Sequence, residues 1–565
     1  MNTLRIAVVL LCVTLGACQT RSQKMSDFDV IVRHGDIYDG SGGPARRADI
    51  GIRGQRIAAI GDLAGQRGAR EIDASGLAVA PGFINMLSWA PDSLYIDGHS
   101  LSDLRQGVTL EVFGEGESLG PLTEEVRKAQ LDSQGDLKHP IDWTTLGQGL
   151  DALVKHGVST NIASFVGAAT VREHELGYAN RAPTAAELAR MQALVREAMR
   201  EGALGVGSAL IYAPGTYAQT DELIALAKVA GESGGAYISH MRSEGDRLLE
   251  SLDELIRITR EGHVHGEAYH FKAAGQTNWP KMATAIAKIE QARASGLDIS
   301  ANMYAYTAGA TGLDAAMPTW VQEGGLDAWI KRLKDPATRA RVAAEMRAPG
   351  KDWENLLLAA GKPENVLLVA FNSEALKPLT GKTLAEVARL RGRSVEDTAM
   401  DLVIEDHSRI GTVYFLMSED NVKLGLSQPW VALGSDEGSY QPAGVFLKFQ
   451  PHPRAYGNFA RFLGHYVRDE HVAPLGDAIR RLSALPAKNL KLRDRGELRE
   501  GAFADIVVFN PATIADHATF DKPQQFASGV RDVLVNGVPV LRGGEHTGAM
   551  PGQVVRGPGY QADTK

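Results

Sequence analysis

Cysteine is nearly absent. Of 565 residues only Cys12 and Cys18 are cysteines, and both fall within the first eighteen. Everything that follows lacks a pair for a disulfide and a thiolate for a metal or a nucleophile, which excludes cysteine-based mechanisms there. Runs of basic residues are missing as well. With a formal charge of -8 and a pI near 6.0, the chain offers no electrostatic footprint for nucleic acid or an anionic lipid surface, and a small or peptide-like substrate is the better expectation. Long apolar runs are also scarce: the one at residues 6–15 is too short to span a bilayer as a helix.

That run follows a short basic start at residues 1–5, and the two together read as an export signal. Leu15-Gly16-Ala17-Cys18 resembles the cleavage and lipidation box of bacterial lipoproteins; a plain secretory signal cut elsewhere is the alternative. Lipidation at Cys18 would leave an otherwise soluble protein in the periplasm or cell envelope, in contact with the membrane through its lipid alone. Gln19, rather than Asp, resembles outer-membrane sorting.

What is present points to an α/β architecture. Residues 27–82 read as short alternating strands broken by turn clusters, and a matching set lies at 486–556, in "GAFADIVVFNP" and "VRDVLVNGVPVLRGG". The two ends are expected to form one small β-domain, a sandwich, around the intervening residues 83–485. Within those, apolar runs at 82–87, 108–115, 159–165, 203–208, 235–240, 264–270, 298–304 and 430–435 alternate with helical stretches such as "PTAAELARMQALVREAMREG". Eight strand-helix units close a (β/α)8 barrel of the TIM type, whose chemistry sits at the C-terminal strand ends. Residues 312–410 are too long for an ordinary connection and read as a helical insertion able to wall the barrel mouth.

Polar residues close several of these runs: Glu115 after "VTLEVFG", His240 after "GAYIS", His270 after "GEAY" and Asp436 after "WVALGS". Each should emerge at the same rim. Two imidazoles and a carboxylate make a three-ligand set for Zn²⁺ that leaves a fourth position to water, although such sets also accept other first-row ions. A divalent ion there activates water and polarises a carbonyl. Asp436 would be the general base, passing a proton to a leaving nitrogen; orienting a ligand His is its alternative role. Glu115 continues the alternation of Glu111 and Phe113, while Glu117 lies farther into the loop and remains the competing carboxylate. His263-Val264-His265 lies at the start of a strand, the end away from the chemistry, and reads as structural or solvated.

"YISHMRSEGD", "YHFKAAG", "YAYTAGAT", "GSDEG", "HPRAYGNFARFLGHYVR" and "ALPAKNLKLRDRGELREGAFADIVVFNP" together resemble the N-acyl-D-amino-acid deacylase (D-aminoacylase) branch of the amidohydrolase superfamily, over nearly all of residues 29–545. The resemblance implies a metal-dependent barrel, a small β-domain from both chain ends, an insertion after the seventh strand, and hydrolysis of the acyl amide of a D-amino acid. It places His240 and His270 as metal ligands and Asp436 as the catalytic aspartate. Tyr212 and Lys272 fall where the family contacts substrate, and Arg454 where it grips the substrate carboxylate, a task suited to a guanidinium. His452, two residues before Arg454 in His-Pro-Arg, reads two ways, as a functional residue or as one that simply positions Arg454.

The departures are as informative. The family's early His-x-His is replaced here by Leu87 and Trp89, and its strand-two cysteine falls within "FGEGES". Neither Leu nor Trp can ligate a metal, so one ion per chain is expected, with Glu115 or Glu117 in place of the thiolate. Two other readings stay open: cleavage of a related bond in a D-residue dipeptide, cyclic ureide or lactone, and a catalytically inactive binding lipoprotein on the same scaffold.

Overall fold

The computed structural model describes residues 26–562; the export signal and Cys18 lie outside the described residues. Strands from the two chain ends share one sheet. Phe28–Ile37, Arg46–Arg53, Arg56–Gly61, Gly68–Asp73 and Ala78–Pro81 come from the N-terminal side, and Ile506–Phe509, Val530–Val535, Val538–Arg542 and Glu545–His546 from the C-terminal side. The two sets meet where Ala78–Pro81 pairs antiparallel with Ile506–Phe509. The alternation that marked these strands buries Val30, Val32, Ile50, Ile52, Ile506 and Val508 in a common core.

Between them lies the barrel. Its strands, in order, are Phe83–Asn85, Val108–Phe113, Asn161–Ser164 (continued by Val166–Gly167), Gly205–Ala209, Ala236–His240, His265–Ala268, Ile299–Met303 and Val431–Leu433. Neighbours are parallel throughout. The ring closes where the Met86 amide donates to the Leu433 carbonyl at 3.0 Å and Ser88 bridges Glu437. All eight expected strands exist, with ends shifted by one or two residues, the fourth running on to Ala209.

The outer helices follow from local signals. The helix Ala185–Arg200 starts at a capping box in which Thr184 and Glu187 satisfy each other's amides, and it buries Met191, Val195, Ala198 and Met199 on one face.

The long segment after the seventh strand carries the expected helices, among them Leu326–Lys334, Pro336–Met346, Leu384–Arg391 and Val395–Asp406. It also holds a three-stranded antiparallel sheet of Gly309–Gly312, Gly411–Tyr414 and Val366–Ala370 that the helical reading did not include. Short apolar pieces such as Val366–Ala370 carry too few residues to declare their period. This sheet faces the barrel mouth and supplies Gly309, Ala310, Thr311, Val369, Ala370, Gly411 and Thr412 to the cavity wall.

Candidate metal and active site

The C-terminal ends of the barrel strands open into a cavity of about 480 Å³, lined among others by Trp89, Glu115, Tyr212, His240, His270, Lys272, Asp436 and Arg454. All seven site residues expected from the sequence therefore reach one cavity. Among the described residues, Glu115, His240 and His270 form the group of three acidic or imidazole side chains able to share a metal ion, with donor atoms within 4.8 Å of one another, all buried.

Each ligand candidate is held by the strand that precedes it. The second barrel strand ends at Phe113 rather than at Glu115. Gly114, at a φ of 105°, turns the chain so that Glu115 emerges over the rim. His240 is the last residue of its strand, whereas His270 follows its strand by two residues, in a left-handed conformation with φ 32°. Asp436 also has positive φ, 55°. His270 and Asp436 are two of ten non-glycine residues with positive φ among the described residues, and at the site that strain must be held by the surrounding hydrogen bonds. For Asp436 these include its amide bond to the Leu87 carbonyl at 2.8 Å.

Glu115 Oε1 accepts from both imidazoles, at 2.7 Å from His270 Nε2 and 3.1 Å from His240 Nδ1. The rings stand nearly perpendicular with centroids 4.3 Å apart. Burial alone would raise the Glu115 pKa, but the neighbouring His270 and His240 outweigh it and hold the carboxylate well below its usual range. For His270, burial and Lys272 oppose protonation, while Glu244 and Glu115 raise its pKa to about 9.

The donor set fits a divalent cation on two counts. Among the described residues His240 Nε2 is buried without a hydrogen-bond partner, Glu244 Oε2 standing 3.6 Å away, a costly state for a ring nitrogen with no further function. His270 Nδ1 lies 2.8 Å from Glu244 Oε1, so Nδ1 can keep its proton while Nε2 gives its own up to an ion on the Glu115 side. Sequence reasoning missed Glu244. The signal was its place in "SHMRSEGD", four residues after His240, where a tight turn rather than a helix carries it back to the site.

Lys272 is buried against Glu244 Oε1 at 2.7 Å and the His270 carbonyl at 3.0 Å. An ammonium has three donors, so the third is free for the cavity when His270 Nδ1 carries its own proton. Glu244 receives further support from the insertion. Glu354 accepts the Glu244 amide at 2.8 Å, and its own pKa is raised to about 8 by burial and by the charge on Glu244.

Across the cavity, Arg454 is 1% exposed and pairs with Asp436 through Nη2, 2.9 Å from Oδ2 and 2.7 Å from the Asp436 carbonyl. Its guanidinium lies 4.4 Å from the centroid of the Tyr304 ring, and its Nε and Nη1 have no hydrogen-bond partner among the described residues. A fixed, buried guanidinium with spare donors on a cavity wall is an anion receptor. His452 holds the backbone of Arg454: Nδ1 accepts the Arg454 amide at 3.0 Å while Nε2 donates to the Ala308 carbonyl at 3.0 Å. Burial raises the Asp436 pKa, Arg454 lowers it, and Glu115 adds to the rise; the net direction is upward. Tyr212 packs edge-on against His240 at 5.2 Å.

The competing carboxylate and histidines fall elsewhere. Glu117 is exposed at the cavity wall and outside the ligand cluster. His263 caps the helix Leu248–Gly262, and His265 is buried against Asp298 at 2.9 Å and Ser300 at 3.0 Å at the start of its strand. Leu87 is buried with Ile84, Met86 and Leu110 in the inner barrel core.

Comparison with known proteins gives the family. A model of the Amidohydrolase family matches residues 139–541. D-aminoacylase of Alcaligenes xylosoxydans xylosoxydans is 35% identical over 529 residues, covering 94% of this chain and 97% of its own. A solved structure of N-acyl-D-glutamate deacylase from Bordetella bronchiseptica, complexed with zinc and a phosphonate mimic of the tetrahedral intermediate, superposes with a TM-score of 0.78 at 31% identity, covering 94% of this chain and 99% of that one. A D-aminoacylase structure described by its binuclear metal centre, with one-metal activation and second-metal attenuation, gives 0.78 at 33% identity over 94% and 100% of the two chains. This chain belongs to the amidohydrolase family, within its N-acyl-D-amino-acid deacylase branch.

Proposed function

We propose that the protein is a metal-dependent hydrolase that cleaves the amide bond of N-acyl-D-amino acids, using one divalent ion, zinc by the chemistry of its donors, held by Glu115, His240 and His270. The supporting observation is the placement of those three donors on the same cavity as Asp436 and the buried guanidinium of Arg454, whose Nε and Nη1 have no partner. When bound, such an ion supplies Lewis acidity toward the acyl carbonyl and makes a neighbouring water acidic. Asp436 takes the water proton and delivers it to the amide nitrogen as the C–N bond breaks, so that acyl carboxylate and free amino acid leave. Arg454 pairs with the substrate carboxylate, and Tyr212 and the third Lys272 donor contact the substrate from the metal side. The single-ion count rests on Leu87, turned into the apolar core, and on Trp89, a donor-only side chain.

The direct test is release of free amine from N-acetyl-D- and N-acetyl-L-amino acids by the chelated and the zinc-supplied protein. Zinc-dependent hydrolysis of D substrates is expected. Silence across a broad panel, with metal retained, would favour the binding-protein reading.

Arg454→Ala should separate carboxylate recognition from chemistry. For N-acyl-D-amino acids KM is expected to rise about 30-fold or more, the equivalent of about 2 kcal/mol lost with one partner of a buried charge pair. The corresponding carboxamides, which share any effect on Asp436, should change little. Equal changes for both substrates would show that Arg454 does not bind the carboxylate.

For location, residues 1–18 support an envelope protein anchored through a lipid on Cys18, most consistent with the outer membrane given Gln19. Labelled palmitate should enter the wild type and not Cys18→Ala; equal labelling would rule out that anchor.

A further inference from the structure

Glu115 has two oxygens, and they are treated differently. Oε1 faces both imidazoles, whereas Oε2 accepts a hydrogen bond from Trp89 Nε1 at 2.9 Å. The indole is firmly rooted. Its own amide donates to the Glu437 carbonyl at 2.9 Å, the Ser88 amide to the Val112 carbonyl at 2.9 Å, and the Ser88 hydroxyl to Glu111 at 2.8 Å. The Asp436 amide returns to Leu87 at 2.8 Å. The segment carrying Trp89 is thus clipped both to the second strand, which presents Glu115, and to the loop that presents Asp436.

We infer that Trp89 is a positioning residue for the metal site: its indole N–H occupies Glu115 Oε2 and so commits the carboxylate to donate to the ion through Oε1 alone. This rests on the single-ion reading above and goes beyond it, because it assigns the geometry of the carboxylate to one hydrogen bond. An indole N–H can donate and cannot ligate. It therefore removes one carboxylate oxygen from competition without adding a ligand of its own. The bond also disfavours a bidentate carboxylate, which would take up a coordination position needed by water or substrate. Trp89 is 43% exposed and lines the cavity, so core packing does not account for an indole at this position.

The test is zinc affinity, measured by competition with a chromogenic chelator, together with the visible spectrum of the cobalt-substituted protein, for wild type, Trp89→Phe and Trp89→Met. Phe keeps the aromatic packing and Met a flexible apolar volume; neither has the donor. Affinity should fall about 10–100-fold in both, the usual consequence of removing a hydrogen bond to a ligand. The cobalt bands should weaken and shift as Glu115 gains freedom to bind through both oxygens. Unchanged affinity and spectrum in Trp89→Phe, beside a wild type that binds metal, would overturn the assignment and leave the metal site intact. A wild type that binds neither ion would instead remove the site itself, and the assignment with it. If one variant fails to fold, shown by the loss of its thermal transition, the other decides.

Discussion

Purified protein should carry one zinc per chain, and His270→Ala and His240→Ala should each retain less than about a tenth of it, with hydrolysis falling by on the order of 10³ or more. The expectation follows from charge as much as from ligand count. Glu115 and Glu244 are both buried, and both are held ionised by their neighbours, Glu244 by Lys272 and by the two imidazoles. Without His270 the Glu115 carboxylate loses its 2.7 Å partner and Glu244 one of its two close cations. A two-donor remnant does not hold a first-row ion against dialysis. Metal analysis beside circular dichroism checks the result. Glu115→Gln should behave like the histidine variants, because an amide is a far weaker donor than a carboxylate. Glu117→Gln should keep both metal and activity. Equal metal in all five proteins would abolish the proposed centre.

The difference between those two glutamates shows how far the sequence could be read. Alternation along Glu111, Phe113 and Glu115 favoured Glu115, yet it implied a strand running to that residue. The structure instead ends pairing at Phe113 and uses the positive φ of Gly114 to lift Glu115 over the rim. The rim positions of His240, His270 and Asp436 were legible because polar residues that close apolar runs at or just past the C-terminal strand ends converge on one face of a closed parallel barrel. The contacts of Trp89 and Glu244 were not. Each side chain meets the site through a turn whose direction no periodicity encodes, Trp89 reaching Glu115 across 26 residues and Glu244 reaching Lys272 across 28. The inserted sheet escaped for a related reason: its strands of four or five residues are separated by long helical stretches, and their pairing joins segments far apart in the chain. Arg454 could be placed by resemblance, but its value as an anion receptor lies in Nε and Nη1 having no partner, a property of packing alone.

Asp436→Asn should leave the zinc content and KM close to wild type while kcat falls about 10²–10⁴-fold, the range assigned to one positioned proton-transfer group. The substitution is nearly isosteric, and the 2.7 Å bond from Arg454 goes to the backbone carbonyl of residue 436, so the receptor for the substrate carboxylate stays in place. What disappears is the ability to take up a proton. In the wild type, burial first, and then the charge on Glu115, move the Asp436 pKa upward against the opposing pull of Arg454. Its carboxylate is therefore a stronger base toward the proton of the attacking water than an exposed aspartate would be. The profile of kcat/KM against pH should show an acidic limb above the ordinary aspartate range, and the Asn variant should lose that limb along with its rate. Arg454→Ala, by removing the cation that stabilises the carboxylate, should move the limb further upward for neutral carboxamide substrates. A kcat in Asp436→Asn within a few-fold of wild type would reassign Asp436 to orienting the site, and the proton would have to travel through another group.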